Sequence, residues 1–284
     1  MTIDVVTATA DAVRRGARVA LVTIVRVNGS TPQRVGAKML VDEDGAIVGT
    51  IGGGCYENDA IGRARLALRE GARPFLVHYD LNDDFAQDTG LVCGGQMDVF
   101  VEPLLPPPDL FIVGAGHVGF HLARIAAATG FTVHVVDDRE AFANRERFPD
   151  AADVIVDDIG VWLAEAPLPT SAFVVVVTRG HKHDLDAVRA LGDRDLRYVG
   201  LIGSRAKVAR LGEQLVAEGA DAALMARVHA PIGLDIGAVT PEEIAVSILA
   251  ELIAVRYGKM RYRDDGQRDE ATTSLRWTAP ASRR

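Results

Sequence analysis

The stretch LFIVGAGHVG, residues 110–119, restricts the fold more than any other part of the chain. An apolar run ends in a glycine-spaced turn, and that turn opens a helical pattern over 117–129. Gly114 permits a tight turn, Gly116 lets main-chain amides approach a pyrophosphate, and Gly119 permits close helix packing; His117 lies inside the turn. The following strand, FTVHVVDD, ends in Asp137 and Asp138, where an acidic residue would meet a ribose hydroxyl, while the adjoining Arg139 offers a phosphate partner instead. Strand, glycines, helix and strand-end acid together predict a Rossmann-type domain. The alternative is a glycine turn that holds no ligand.

The rest of the second half supports that domain. DVIVDD, AFVVVVTRG and YVGLIG are apolar runs, separated by helical patterns at 184–192, 205–218 and 241–257. Continuous β-branched runs between helices predict a parallel sheet covered on both faces. The last helix opens on Thr240-Pro241-Glu242-Glu243, a capping box with proline at the first helical position. Ligands of such sheets sit beyond the carboxyl ends of the strands. The loops expected there are Asp137–Arg139, TRGHKHD (178–184), GSR (203–205) and PIGLDIG (231–237), which carries Asp235. Gly203, Ser204 and Arg205 combine free amides, a hydroxyl and a guanidinium, which suits an anion, although Arg205 reads equally as a solvated first-turn residue. His181 reads as a polar contact to phosphate or substrate, and His183 with Asp184 as a helix cap. A metal at His181 and His183 lacks a third ligand, so no metal site is expected. His78, His121, His134 and His229 read as structural.

The first half is different in kind. A helix over 3–15 precedes the β-rich runs RVALVTIVRV, KMLVDEDGAIVG, PFLVHYDL and GGQMDVFVEPL, with a hairpin turn at Asp44-Gly45. YENDAIGRARLALREG has helical spacing and stops at Gly71. The proline-rich EPLLPPPD (102–109) breaks the chain. The expected class is α/β: an N-terminal α+β domain rich in β-strands (1–103), then a C-terminal Rossmann-type parallel-sheet domain (104–258). A charged tail without periodicity (259–284) is expected to be poorly ordered.

The 284 residues carry 31 basic and 39 acidic side chains, a formal charge of −8, which argues against nucleic-acid or anionic-membrane partners. No basic leader with an apolar core and no spanning apolar run is evident, so a cytoplasmic protein is expected. Two cysteines build no disulfide framework, and both sit against glycines: Gly53-Gly54-Cys55 and Cys93-Gly94. Each reads either as a small residue in a tight turn or as a reactive, ligand-contacting thiol. Cys55 is the stronger candidate, because a helix start carries partial positive charge that suits a thiolate. A disulfide between the two requires close approach of their loops. Arg34 and Lys38, near the GSTP turn, read as charge for an anionic ligand or as a solvated strand face.

NGSTPQRVGAKMLVDEDGAIVGTIGGGCYE, GLVCGGQMDVFVEPL, LFIVGAGHVG, VVDDRE, YVGLIGSRAK and APIGLDIGAVTPEEIAVSILAELIAVRYG, in this order, resemble the XdhC/CoxI family of accessory proteins of molybdenum hydroxylases such as xanthine dehydrogenase and carbon monoxide dehydrogenase. The resemblance implies a chaperone that binds the molybdenum cofactor, as molybdopterin or its dinucleotide form. It would hold the cofactor while a cysteine desulfurase-type donor sulfurates it and then insert it into an apo-hydroxylase. A homodimer is expected on a separate ground, because the first domain has few helices to cover its sheet. Tyr56 stands where many members carry a small residue. Two other functions are open: an NAD(P)-dependent oxidoreductase built on the GAGHVG turn, and a nucleotide-sensing module in which Cys55 is dispensable.

Overall fold

The computed structural model describes residues 2–81, 94–192, 194–219, 225 and 227–259. Cys93 and residues 260–284, which make up most of the expected tail, lie outside them. The chain forms two compact units, Met1–Pro106 and Pro107–Arg284.

In the first unit, helix α1 (Thr2–Arg14) is followed by strands β1 (Val19–Asn28), β2 (Lys38–Asp42) and β3 (Ile47–Gly49), helix α2 (Gly54–Glu70), and strands β4 (Phe75–Asp80) and β5 (Gln96–Leu104). The strands make an antiparallel sheet in the order β3-β2-β1-β5-β4. Residues alternate between faces along each strand. Ala20, Val22 and Ile24 point to one face, where with Met39, Val77, Met97 and Val99 they bury the Ala60, Ala64 and Leu68 stripe of α2. Val19 and Leu40 point to the other and bury Val5 and Ala12 of α1. The ladder between β1 and β5 shifts register between Ile24 and Arg26.

In the second unit, β6 (Asp109–Val113), α3 (His117–Ala128), β7 (Thr132–Asp137), β8 (Asp153–Val156), α4 (Ile159–Glu165), β9 (Phe173–Val176), α5 (His181–Leu191), β10 (Tyr198–Leu201), α6 (Arg205–Ala217), β11 (Val228–His229) and α7 (Pro241–Arg256) follow in turn. All strand pairs are parallel, in the order β11-β10-β9-β6-β7-β8. Leu110, Ile112, Val133, Val135 and Phe173 pack with Leu122, Ala126, Ile248 and Leu252 of α3 and α7 on one face. Phe111, Val113, Val174 and Val176 pack with Leu163, Leu185, Val188 and Leu211 of α4, α5 and α6 on the other. The expected α/β class, with a strand-rich α+β half and a Rossmann half, is the observed one. The order reverses beside β6, so the turn after β6 stands at the crevice where such sheets take ligands.

That turn leaves no room for a side chain at two of its glycines. A Cβ on Gly119 would lie 2.0 Å from the Gly114 carbonyl oxygen, and one on Gly114 would lie 2.5 Å from that of Val177. Gly119→Ala should therefore destabilise the protein by about 1–3 kcal/mol, the usual cost of overpacking. Urea unfolding at neutral pH checks this, and an unchanged midpoint would show that the α3–β6 packing is looser than described.

Candidate functional site

Residues 50–57 form the first candidate. Gly52, Gly53 and Gly54 take φ values of 131°, 79° and 75°, a run that L side chains rarely allow. A Cβ on Gly52 would meet Pro32 at 2.6 Å, whereas one on Gly53 would meet open space, so the main chain is bare at Gly53. The chain then enters α2 at Gly54, earlier than the YEND pattern suggests. Cys55 lies within the first helical turn, partly buried.

A turn this rich in glycine is held by a residue outside the expected site set. The Glu57 carboxylate accepts hydrogen bonds from the Thr50 hydroxyl, from the Ile51 amide at 2.9 Å and from the Gly53 amide at 3.1 Å. Thr50 Oγ1 in turn accepts from the Gly52 amide at 3.0 Å. Burial works to raise the Glu57 pKa, but the hydrogen bonds from Thr50 and from the Ile51, Gly53 and Gly52 amides outweigh it and hold the carboxyl below the ordinary glutamate value. Tyr56 turns its ring onto the core beneath α2, edge-on to Tyr79 with centroids 5.6 Å apart.

The other loops at this end close in backbone to backbone. A Cβ on Gly95 would lie 2.4 Å from the Ser30 carbonyl oxygen, and one on Gly29 would lie 2.9 Å from that of Gly94. The NGSTP turn thus packs on both glycine stretches, the second of which adjoins Cys93 in sequence. Beside Thr50 opens a cleft of about 290 Å³ that Gln33, Arg34 and Lys38 also line. Lys38 Nζ donates to Thr23 Oγ1 at 3.1 Å, and Arg34 is exposed.

The second candidate, in the other unit, is built on Asp137. Its carboxylate is 2% exposed and accepts the Ala115 amide at 2.8 Å, which fixes the glycine turn after β6 to the end of β7. The Arg139 amide (3.0 Å), Nε (2.8 Å) and Nη2 (2.9 Å) also donate to it. Arg147 Nη1 holds the far side of Ala115, donating to its carbonyl at 2.9 Å and to that of Phe142 at 2.7 Å. Asp138 is gripped bidentately by Arg179, at 2.7 and 2.8 Å. That pair holds the Asp138 carboxyl below the ordinary aspartate value. The carboxylate that would bind a ribose diol is therefore engaged by this chain's own donors, and the residues present do not fit a dinucleotide held by that grip.

The remaining predicted residues are distributed around these two groups. Gly116 has open space where a Cβ would stand, and His117 is exposed at the start of α3. His181 is exposed and lies 2.9 Å from Gln214 Oε1. The Ser204 side chain caps α6 by accepting the Lys207 amide at 3.2 Å, next to Gly203 and an exposed Arg205. Asp235 is exposed. Asp184 is not the cap of α5, which begins at His181 with Gly180 as its cap. Asp184 is fully buried, accepting from Thr178 Oγ1 at 2.6 Å and pairing with Lys207 Nζ at 2.5 Å, so it ties the loop after β9 to α6. Glu251 is also fully buried: it faces His229 Nδ1 at 3.0 Å and accepts the Gly233 amide at 2.5 Å, pinning the PIGLD loop to α7. No helix among the described residues is long and apolar enough to cross a membrane. No group of three or more His, Cys, Asp or Glu among them is placed to hold a metal ion.

Fold and site together define a two-unit α/β protein that pairs a glycine–cysteine turn on an antiparallel sheet with a C-terminal Rossmann domain. Two family models match in chain order, one described as the XdhC and CoxI family over residues 12–80 and one as the XdhC Rossmann domain over residues 110–252. The chain belongs to the XdhC and CoxI family. Among curated proteins it is 38% identical over 238 residues to the uncharacterized protein YqeB of Escherichia coli (strain K12), covering 84% of this chain but only 43% of that protein. It is 28% identical over 315 residues to a probable xanthine dehydrogenase subunit from Bacillus subtilis (strain 168), covering 83% and 92%. It is 25% identical over 300 residues to the molybdenum cofactor insertion chaperone PaoD of Escherichia coli (strain K12), covering 87% and 86%.

Glu57→Gln replaces a charged acceptor by an amide and should cost about 1–3 kcal/mol at neutral pH. Because the Glu57 pKa is lower in the folded state, its stabilisation is complete above the unfolded value of 4.5 and lost as pH falls through the folded one. The gap between wild type and variant in urea unfolding should narrow below pH 4.5. A gap that stays constant with pH would show that the charge on Glu57 does not hold the turn.

Proposed function

We propose that this chain is a maturation factor for molybdenum hydroxylases that binds the molybdenum cofactor as cargo and inserts it into an apo-enzyme. The observation that carries this reading is the Gly52–Cys55 turn: bare main chain at Gly53, then a partly exposed thiol in the first turn of α2. It lies within the segment matched to the XdhC and CoxI family, and a relative matched over most of both chains bears the name of a molybdenum cofactor insertion chaperone. The chemistry suits such cargo. Molybdopterin is anionic and its metal end is soft: the Cys55 thiol suits the metal end, and the cationic Arg34 and Lys38, which line the cleft beside Thr50, suit the anion.

The reading extends to finer steps. The cofactor, with either a phosphate or a dinucleotide tail, is held at Cys55 while a cysteine desulfurase-type donor sulfurates it. The loaded protein, as a homodimer, then passes it to a hydroxylase of the xanthine dehydrogenase or carbon monoxide dehydrogenase kind. Cys55 is the residue in contact with the metal end; Cys93 lies outside the described residues.

Full-length protein purified from cells that make the cofactor should retain molybdopterin, read as the fluorescent oxidised pterin. Cys55→Ala should lower the retained amount about tenfold or more, equivalent to at least 1.4 kcal/mol of binding, with an unchanged unfolding midpoint. Wild-type protein that carries no pterin in either form would overturn the proposal. Equal retention by a folded Cys55→Ala variant would remove the thiol from it.

A further inference from the structure

We propose that Arg139 closes the ribose subsite of the Rossmann domain, so that Asp137 acts as an internal strut and the domain discriminates against nucleotides gripped through a ribose 2′,3′-diol. The inference stands apart from the function proposed above. A carboxylate offers about four acceptor positions. At Asp137, Oδ1 takes the Arg139 amide and Nε, and Oδ2 takes the Ala115 amide and Arg139 Nη2. No acceptor position is left for a ribose hydroxyl.

Arg139 is fixed there by more than one contact. Its guanidinium makes a bidentate pair with Asp137 and lies over the Phe142 ring, 3.8 Å from the centroid. Swinging it away to admit a diol breaks the ion pair and the stacking together. Arg179, paired with Asp138 and 3.9 Å from Asp137 Oδ1, places a second guanidinium at the same strand end.

The phosphate alternative fails for the matching reason. An arginine at this position can accept the 2′-phosphate of an NADP-type ligand. Here the guanidinium would have to leave Asp137, and the carboxylate, 2% exposed, would then face the incoming phosphate with like charge. The two aspartates and two arginines neutralise each other, so the strand end favours neither a diol nor a phosphate.

The test titrates NADH and NADPH fluorimetrically into the full-length wild type, Arg139→Ala, Arg139→Gln and the double variant Arg139→Ala/Asp137→Asn. Both single variants should bind NADH at least about tenfold more tightly than wild type, with no such gain for NADPH, and the double variant should lose the gain. Micromolar NADH binding by wild type, no gain in folded single variants, or a gain that survives in the double variant would each overturn the proposal. Should neither single variant keep a native circular dichroism spectrum, the wild type decides. Equal or absent binding of ADP-ribose and its 2′-deoxyribose counterpart supports the closed subsite, and a tenfold preference for the diol form overturns it.

Discussion

A turn made of glycines has no side chains with which to hold itself, and in this protein three such turns are held by the carboxylate of an adjoining element. Glu57 takes the Ile51 and Gly53 amides, Asp137 takes the Ala115 amide, and Glu251 takes the Gly233 amide. The arrangement solves two problems at once. A desolvated carboxylate needs donors, and an amide in an irregular loop needs an acceptor. Each carboxylate sits on a regular element, α2, β7 or α7, so the turn inherits the rigidity of that element's packing. A bare turn can thus stay open to a ligand without being loose.

This constraint also explains why the two candidate sites differ. At Glu57 the carboxylate faces into the turn and leaves Gly53 bare and Cys55 partly exposed. At Asp137 the same kind of strut occupies the place where a dinucleotide domain would keep a free acceptor, and Arg139 completes the closure. The Rossmann fold alone therefore says little about the ligand, because fold and site are separable. Family membership and the thiol turn carry the functional reading, and the parallel-sheet half contributes a rigid strand end with four paired charges.

Much of the fold was legible in the sequence because its signals are local. Alternation in RVALVTIVRV, the β-branched runs of the second half and the glycine turn after β6 each report on their own neighbourhood. The Thr240–Glu243 capping box appears as expected, with both reciprocal hydrogen bonds made. What escaped depends on partners far apart in the chain. Asp184 resembles a cap in a local window, but its partner Lys207 lies a whole helix and strand away. Glu251 interrupts an apolar helix pattern, and only the folded chain brings His229 and Gly233 to it. Helix α4 spans seven residues, too short to display a period, and is marked by the Asp158 cap alone. Glu57 was visible as part of GGGCYE, yet nothing in its spacing says that it bonds backward onto the turn that precedes it.

Amide hydrogen exchange at single-residue resolution tests the carboxylate-strut account most directly. Gly53, Ala115 and Gly233 lie outside regular strands and helices, so without struts their amides would exchange at the rate of open loops. The account predicts that all three are protected at neutral pH to nearly the degree of the adjoining elements. Exchange at unprotected rates at these positions, with the flanking helices still protected, would contradict it.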